Sequence, residues 1–174
     1  MGIQFETDYN METLTAMAKS LRKTVRRKRS RRVHIFAAVV LVLSILTILA
    51  TVAGGEPLGA SGVVTLLAML VVILVSLFED RLNAWFARKR LLPGTEHAAA
   101  TFEEDGYVSA TSMSESKFSY AQIVAVAETA RYFVFALSSH HTQAYDKRTI
   151  RGGSVEDFRA FIAEKTGKPV EEIK

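Results

Sequence analysis

The side chains best suited to catalysis lie in one short stretch of the C-terminal half. Ser138 and Ser139 precede the adjacent histidines His140 and His141, and Asp146 follows a few residues later. A serine beside a histidine is the pairing of nucleophile and general base, and histidine with aspartate can bind zinc. This stretch defines one candidate function, an enzyme with a polar site near His140, His141 and Asp146.

The spacing of these residues argues against catalysis. Adjacent histidines point to opposite sides of a strand, and the sequence has neither a His-x-His nor a His-x-x-x-His pair. No nucleophile elbow surrounds the serines, and the absence of cysteine excludes thiol nucleophiles and thiolate ligands. We therefore expect a solvated loop at His140-His141, no catalytic, metal or cofactor site, and a protein that is not an enzyme.

Two long apolar runs determine where the rest of the chain lies. Residues 33–53 and 58–78 contain no Asp, Glu, Lys or Arg, and each has about the 20 residues that a helix needs to cross a bilayer. The linker between them is so short that the second helix must return to the side where the first began. The runs predict a transmembrane helical hairpin, and their lack of buried charges disfavours a transporter or channel.

Basic residues flank this hairpin at its open end, whereas the linker carries only Glu56. Segments rich in Lys and Arg remain in the cytoplasm. We therefore expect a multi-pass protein of the cell membrane with cytoplasmic N and C termini. Eleven basic residues form the predicted membrane-surface site: Arg22, Lys23, Arg26, Arg27, Lys28, Arg29, Arg31, Arg32, Arg88, Lys89 and Arg90.

The expected partner of these basic residues is a lipid bilayer with anionic headgroups, because juxtamembrane cations are attracted to such a surface. The formal net charge of +4 comes from these clusters. Basic charge also suggests nucleic acid, but no RNP-like aromatic pattern or zinc-finger spacing accompanies it. We expect no nucleic-acid partner, and a protein partner stays unidentified.

The polar segments on either side of the hairpin have their own periodicities. Alternation of Ile3, Phe5 and Thr7 predicts a strand in residues 1–9, which must join the C-terminal domain because one strand is unstable alone. Residues 10–32 predict a basic juxtamembrane helix that runs on into the first span. Residues 79–92 predict a second juxtamembrane helix that continues the second span.

The C-terminal segment, residues 95–174, predicts a small α+β domain. Asp105-Gly106 favours a hairpin turn, further strands are expected to complete one antiparallel sheet, and the apolar run 132–137 predicts its central strand. Ser154 and Asp157 predict the capped start of a final helix. The Gly-rich turn before it could bind phosphate, although Glu156 and Asp157 occupy the anion positions.

Several residue runs in this segment resemble the C-terminal domain of YcxB-like bacterial membrane proteins, from about Ala98 to the end. The resemblance implies a short N-terminal segment, two adjacent helices in the bacterial inner membrane, and a cytoplasmic domain with a PH-like sheet and a C-terminal helix. It implies no established reaction. The matching runs are Phe118-Ser119-Tyr120-Ala121-Gln122-Ile123, Glu128-Thr129, Tyr132-Phe133-Val134-Phe135, Gln143-Ala144-Tyr145-Asp146-Lys147-Arg148 and Gly153-Ser154-Val155-Glu156-Asp157-Phe158-Arg159.

Three functions are compatible with these features. The first is a non-enzymatic membrane-anchored interaction or regulatory module. The second is a lipid- or small-ligand-binding sensor with a pocket between sheet and helix. The third is a membrane enzyme with the polar site near His140, His141 and Asp146. A filled core favours the first, whereas a deep pocket lined by convergent polar groups favours the other two.

Overall fold

The chain forms five α-helices and eight β-strands in a computed structural model that describes residues 2–174. Met1, the first residue of the predicted 1–9 segment, lies outside the described residues. The helices are α1 (Met11–Lys23), α2 (Arg27–Ala53), α3 (Ala60–Leu77), α4 (Glu79–Lys89) and α5 (Val155–Thr166). The strands are β1 (Ile3–Asp8), β2 (His97–Phe102), β3 (Tyr107–Thr111), β4 (Glu115–Phe118), β5 (Ala125–Glu128), β6 (Tyr132–Ala136), β7 (Thr142–Asp146) and β8 (Val170–Glu172).

The strands form two sheets, so the predicted single antiparallel sheet is wrong. The first sheet has the antiparallel order β1-β2-β3-β4, and the second has the order β7-β6-β5-β8 with β8 parallel to β5. The chain leaves the first sheet at a 3-10 turn, Tyr120–Gln122, which the Ser119 side chain caps. The sequence did not predict β8, because three residues after a helix carry too little periodicity to indicate a strand.

Strand β1 joins the two sheets although 88 residues separate it from β2. It pairs with β2 along its whole length, from Ile3 opposite Phe102 to Asp8 opposite His97. On its other side, the Thr7 hydroxyl accepts a hydrogen bond from the Asp146 amide at 3.0 Å, and Gln4 bridges to Arg151. The helical hairpin is therefore an insertion within the α+β domain.

An aromatic core fills the space between the two sheets and α5. Phe5, Phe102, Phe133, Phe135 and Phe158 are each at most 1% exposed. The Phe5 and Phe158 ring centroids lie 4.7 Å apart. Helix α5 packs on β6, because its apolar side chains join the same cluster as Phe133 and Phe135.

The boundaries of α5 follow from its caps. The Ser154 hydroxyl accepts from the Asp157 amide at 3.0 Å, and the Asp157 carboxylate accepts from the Ser154 amide at 3.1 Å, which confirms the predicted capping box. Gly167 ends the helix with a φ of 63°, a left-handed conformation that glycine adopts without strain. The Asp157 carboxylate thus already occupies the helix N-terminus that the phosphate alternative would use.

The predicted continuous helix from α1 into the first span is wrong. Helix α1 ends at Lys23, residues 24–26 form a turn, and α2 begins at Arg27. Thr24 leaves helical geometry with a ψ of −94°, and its hydroxyl donates to the Ser20 carbonyl at 2.8 Å. The turn changes the direction of the chain, so that α1 packs on the second sheet while α2 forms the first helix of the hairpin. A non-helical Phe78 likewise separates α3 from α4, which ends at Lys89 rather than near residue 92.

Helices α2 and α3 are long and apolar enough to span a membrane, and neither contains a buried residue. Their large side chains face outward; Phe36 is 70% and Leu77 is 73% exposed. Side chains of this kind require a cover other than water. The two helices therefore support membrane association.

We predict that Phe5→Ala lowers the free energy of unfolding of the α+β domain by about 3 kcal/mol, because the ring fills the junction of both sheets and α5. Urea unfolding of the full chain in detergent micelles, followed by circular dichroism, measures this change. Met113→Ala is the control, since this side chain is exposed and its removal leaves no cavity. A segment from Pro93 to the C terminus that folds as stably as the full chain would contradict the role of β1.

Glu128 connects α5 and the 3-10 turn Lys147–Thr149 to the second sheet. Glu128 is only 8% exposed, and its carboxylate accepts from Arg159 Nε at 2.6 Å and from Lys147 Nζ at 2.9 Å. The hydrogen bond from Arg159 is the main cause that lowers the Glu128 pKa, and burial opposes it. A lowered carboxyl pKa stabilises the fold above the unfolded-state pKa of about 4.3, and this contribution is lost as the pH falls through the folded-state pKa.

We therefore predict that Glu128→Gln destabilises the domain at neutral pH and that the difference from the wild type narrows below about pH 4.3. Unfolding curves at a series of pH values measure both effects. Glu171→Gln, on the exposed side of β8, provides the control. A wild-type advantage that persists undiminished at low pH would contradict this assignment.

Candidate membrane-surface site

Helix α1 is packed between the helical hairpin and the second sheet. Leu14 and Met17 are buried with Ala84 of α4 on one side and with Tyr132 and Val134 of β6 on the other. Tyr132 and Val134 lie on the face of β6 opposite to Phe133 and Phe135, so α1 covers the second apolar face of this strand. The α+β domain is thereby attached directly to the base of the hairpin.

Ion pairs reinforce this attachment where the hairpin begins. Arg22 of α1 donates from Nε and from a terminal guanidinium nitrogen to the two carboxylate oxygens of Asp80 in α4, each at 2.7 Å. The Asp80 hydrogen bond is the main cause that raises the Arg22 pKa. Beside this pair, Glu79 Oε2 lies 3.6 Å from His34 Nε2. Three helices, α1, α2 and α4, therefore meet in one charged cluster.

The turn after α1 is tied to the β domain by Arg26. Its Nε donates to the Ser139 carbonyl at 2.6 Å, so the loop that carries His140 and His141 lies against the start of α2. The sequence predicted only a general electrostatic role at the membrane surface for Arg26. The contact depends on the turn at residues 24–26, which redirects the chain.

A cleft of about 610 Å³ lies between α1, α2, α4 and the loop at residues 138–142, and we call it the cationic cleft. Its charged or titratable lining comprises Arg22, Arg26, Arg29, Arg90, Glu79 and His140. Its larger apolar side chains are Leu14, Met17, Leu21, Val33 and Phe86. Such a lining can hold an anion beside an apolar group.

The structure divides the predicted membrane-surface site. Four of its residues, Arg22, Arg26, Arg29 and Arg90, converge on the cationic cleft. The other seven lie apart from it. Lys23 Nζ donates to the Lys174 carbonyl at 2.9 Å, and Lys89 Nζ lies 3.7 Å from the Trp85 ring centroid. Arg88 lines a different cleft, of about 410 Å³, with Asp8 and Glu96, and the exposed residues on α2 are Arg27, Lys28, Arg31 and Arg32.

The residues of the enzyme alternative do not come together. His140 and His141 precede β7, whereas Asp146 ends it, roughly 15 Å further along an extended chain. Asp146 is buried and accepts from Arg131 at 2.9 Å and from Arg148 at 3.0 Å. The Ser139 hydroxyl lies 2.8 Å from His140 Nδ1, but this contact is exposed. Within residues 2–174, no three His, Asp or Glu side chains are grouped so that they could hold a metal ion.

A second cleft, of about 390 Å³, lies between the first sheet and α1 and α4. Hydroxyl groups of Ser109, Thr111 and Ser116 line it, together with His140 and His141. No sequence signal indicated these hydroxyls, because they face a cavity that exists only when the insertion packs against the sheet. Arg22, Arg26 and Arg29 recur at helical spacing in the sequence, but they lie on α1, in the turn and on α2, so the turn at residues 24–26 is what brings them to one cleft.

The fold and this site define a two-sheet α+β domain interrupted by an apolar helical hairpin. The family model described as YcxB-like protein matches residues 102–162, which extend from the end of β2 into α5. The match confirms the resemblance, so the chain carries a YcxB-like domain. No curated protein and no solved structure matches the chain.

We predict that Arg22 and Asp80 are coupled by about 1 kcal/mol, because their contact is bidentate and largely shielded from water. A double-mutant cycle with Arg22→Gln and Asp80→Asn, measured by urea unfolding in micelles, gives this value. The exposed pair Arg151 and Glu6, 3.4 Å apart, is the matched control and should show a smaller coupling. Equal coupling in the two cycles would contradict a special role for the contact between α1 and α4.

Proposed function

We propose that this protein is a non-enzymatic, membrane-anchored interaction or regulatory module that holds its YcxB-like domain against the cytoplasmic surface of the cell membrane. One observation carries the proposal: α1 packs on α4 and on β6 at the same time. A domain attached in this way has a fixed orientation relative to the hairpin. A fixed surface suits binding of a partner, and no step of catalysis is required of it.

The proposed topology is multi-pass, with the N and C termini in the cytoplasm. Both open ends of the hairpin carry basic residues, and the linker contains Glu56 as its single charge. The pairing of β1 with β2 supports the same arrangement, because the segments before and after the hairpin must then lie on one side. An anionic leaflet attracts each nearby Lys or Arg by about 1 kcal/mol.

We also propose a PH-like arrangement for the domain. Four strands in the first sheet, three antiparallel strands in the second and a final helix over the core support it. The filled aromatic core between the sheets favours an interaction module over a protein that binds its ligand in the core. The outer surface of the domain and the clefts beside the hairpin would then be the binding surfaces.

A lipid- or small-ligand-binding sensor is the second candidate function. The cationic cleft favours it, since about 610 Å³ is within the usual size of small-molecule sites. The position of this cleft differs from the expected pocket between sheet and helix. The separation of His140 and His141 from Asp146 makes the membrane enzyme the weakest candidate, and a stoichiometric zinc site lost in His140→Ala and His141→Ala would revive it.

Single cysteines test the proposed topology, because the chain contains none. Glu56→Cys should react in intact cells with a membrane-impermeant maleimide, whereas Lys174→Cys should react only after the cells are opened. The physical reason is that the linker faces outward while the C terminus lies beside α1 in the cytoplasm. The wild-type chain, which should not react at all, is the control. The reverse labelling pattern would contradict the topology, and release of the chain by alkaline carbonate would contradict membrane anchoring.

A further inference from the structure

We propose that the cationic cleft binds one anionic phospholipid of the cytoplasmic leaflet, with its phosphate at the arginines and part of an acyl chain along the apolar wall. This inference rests on the proposed membrane anchoring and names a ligand for the anchored module. It differs from general surface attraction, because the cleft would hold a single molecule at defined side chains.

The charge of the cleft favours an anion. Four guanidinium groups line it, opposed by the carboxylate of Glu79, and Asp80 additionally pairs with Arg22. Arg22 and Arg26 are fixed by their contacts to Asp80 and Ser139. Within residues 2–174, Arg29 and Arg90 contact no acidic side chain. These two are therefore free to donate to a phosphate, which arginine binds through its planar fork.

The position of the cleft favours a lipid over a soluble anion. Val33, the first residue of the apolar run, lines it together with Phe86, and these side chains are 55% and 51% exposed. Arg29 lies one helical turn before Val33, on the same face of α2. The cleft thus passes from guanidinium groups to apolar side chains where the bilayer would change from headgroups to hydrocarbon. A soluble phosphate would leave the apolar wall uncovered.

The test uses the full chain in nanodiscs of phosphatidylcholine containing a minor fraction of phosphatidylglycerol. Native mass spectrometry of the released protein counts the lipids that each chain retains. We expect one phosphatidylglycerol per wild-type chain, and about tenfold lower retention for the double variant Arg29→Gln, Arg90→Gln, because both free guanidinium groups are lost. Addition of glycerol phosphate at the same concentration should not displace the retained lipid.

The matched control is Arg31→Gln with Arg81→Gln. It removes the same charge from the same two regions at exposed positions outside the cleft, and its lipid retention should stay within twofold of the wild type. Thermal unfolding of both double variants should match that of the wild type, since Arg29 and Arg90 contribute no ion pair to the fold.

Equal losses of phosphatidylglycerol retention in the two double variants would show that general surface attraction holds the lipid, and would overturn the inference. So would equal retention of phosphatidylcholine, or displacement of the lipid by glycerol phosphate, which would identify a soluble phosphate ligand. Carbonate extraction of the cell membranes from which each protein is purified keeps the two proposals distinguishable. A wild-type chain that stays in the membrane but retains no phosphatidylglycerol selectively contradicts only the lipid site in the cleft, whereas carbonate extraction of the wild-type chain contradicts the membrane anchoring on which that site rests.

Discussion

The burial of α1 between α4 and the second sheet is the contact on which the arrangement of this protein depends. Leu14 and Met17 must be covered on two sides, by Ala84 of the insertion and by Tyr132 and Val134 of β6. Without this contact, the turns at either end of the insertion would leave the hairpin free to reorient relative to the domain. With it, the charged cluster of Arg22, Asp80 and Glu79 lies at a fixed place, and the cationic cleft exists between walls that belong to different parts of the chain.

The insertion of the hairpin between β1 and β2 gives the domain a second constraint. Phe5, contributed by the first strand, contacts the rings of Phe102, Phe133 and Phe158. The core therefore needs residues from both the segment before the hairpin and the segment after it. The pairing of β1 with β2 thus brings the two ends of the insertion together within the α+β domain.

Local patterns predicted the elements whose signals lie within a few residues. The alternation of Ile3, Phe5 and Thr7 indicated β1, and the capping box of Ser154 with Asp157 indicated α5, because these signals depend on hydrogen bonds and periodicity in the segment itself. Local patterns did not predict the breaks in the helices at residues 24–26 and at Phe78. There the polar and apolar periodicity continues through the break, and the direction of each helix is decided by what it packs against.

The amino-acid sequence by itself determined the apolar hairpin, the basic residues at its open end, the absence of cysteine chemistry and the YcxB-like character of the C-terminal segment, since each follows from residue type and local order. Only the tertiary structure decided that the strands form two sheets, that β8 joins the second, and that four of the eleven basic residues meet in one cleft while Asp146 lies away from His140 and His141. These features depend on contacts between residues far apart in the chain. Such contacts are set by the packing of one apolar face on another, which local periodicity does not specify.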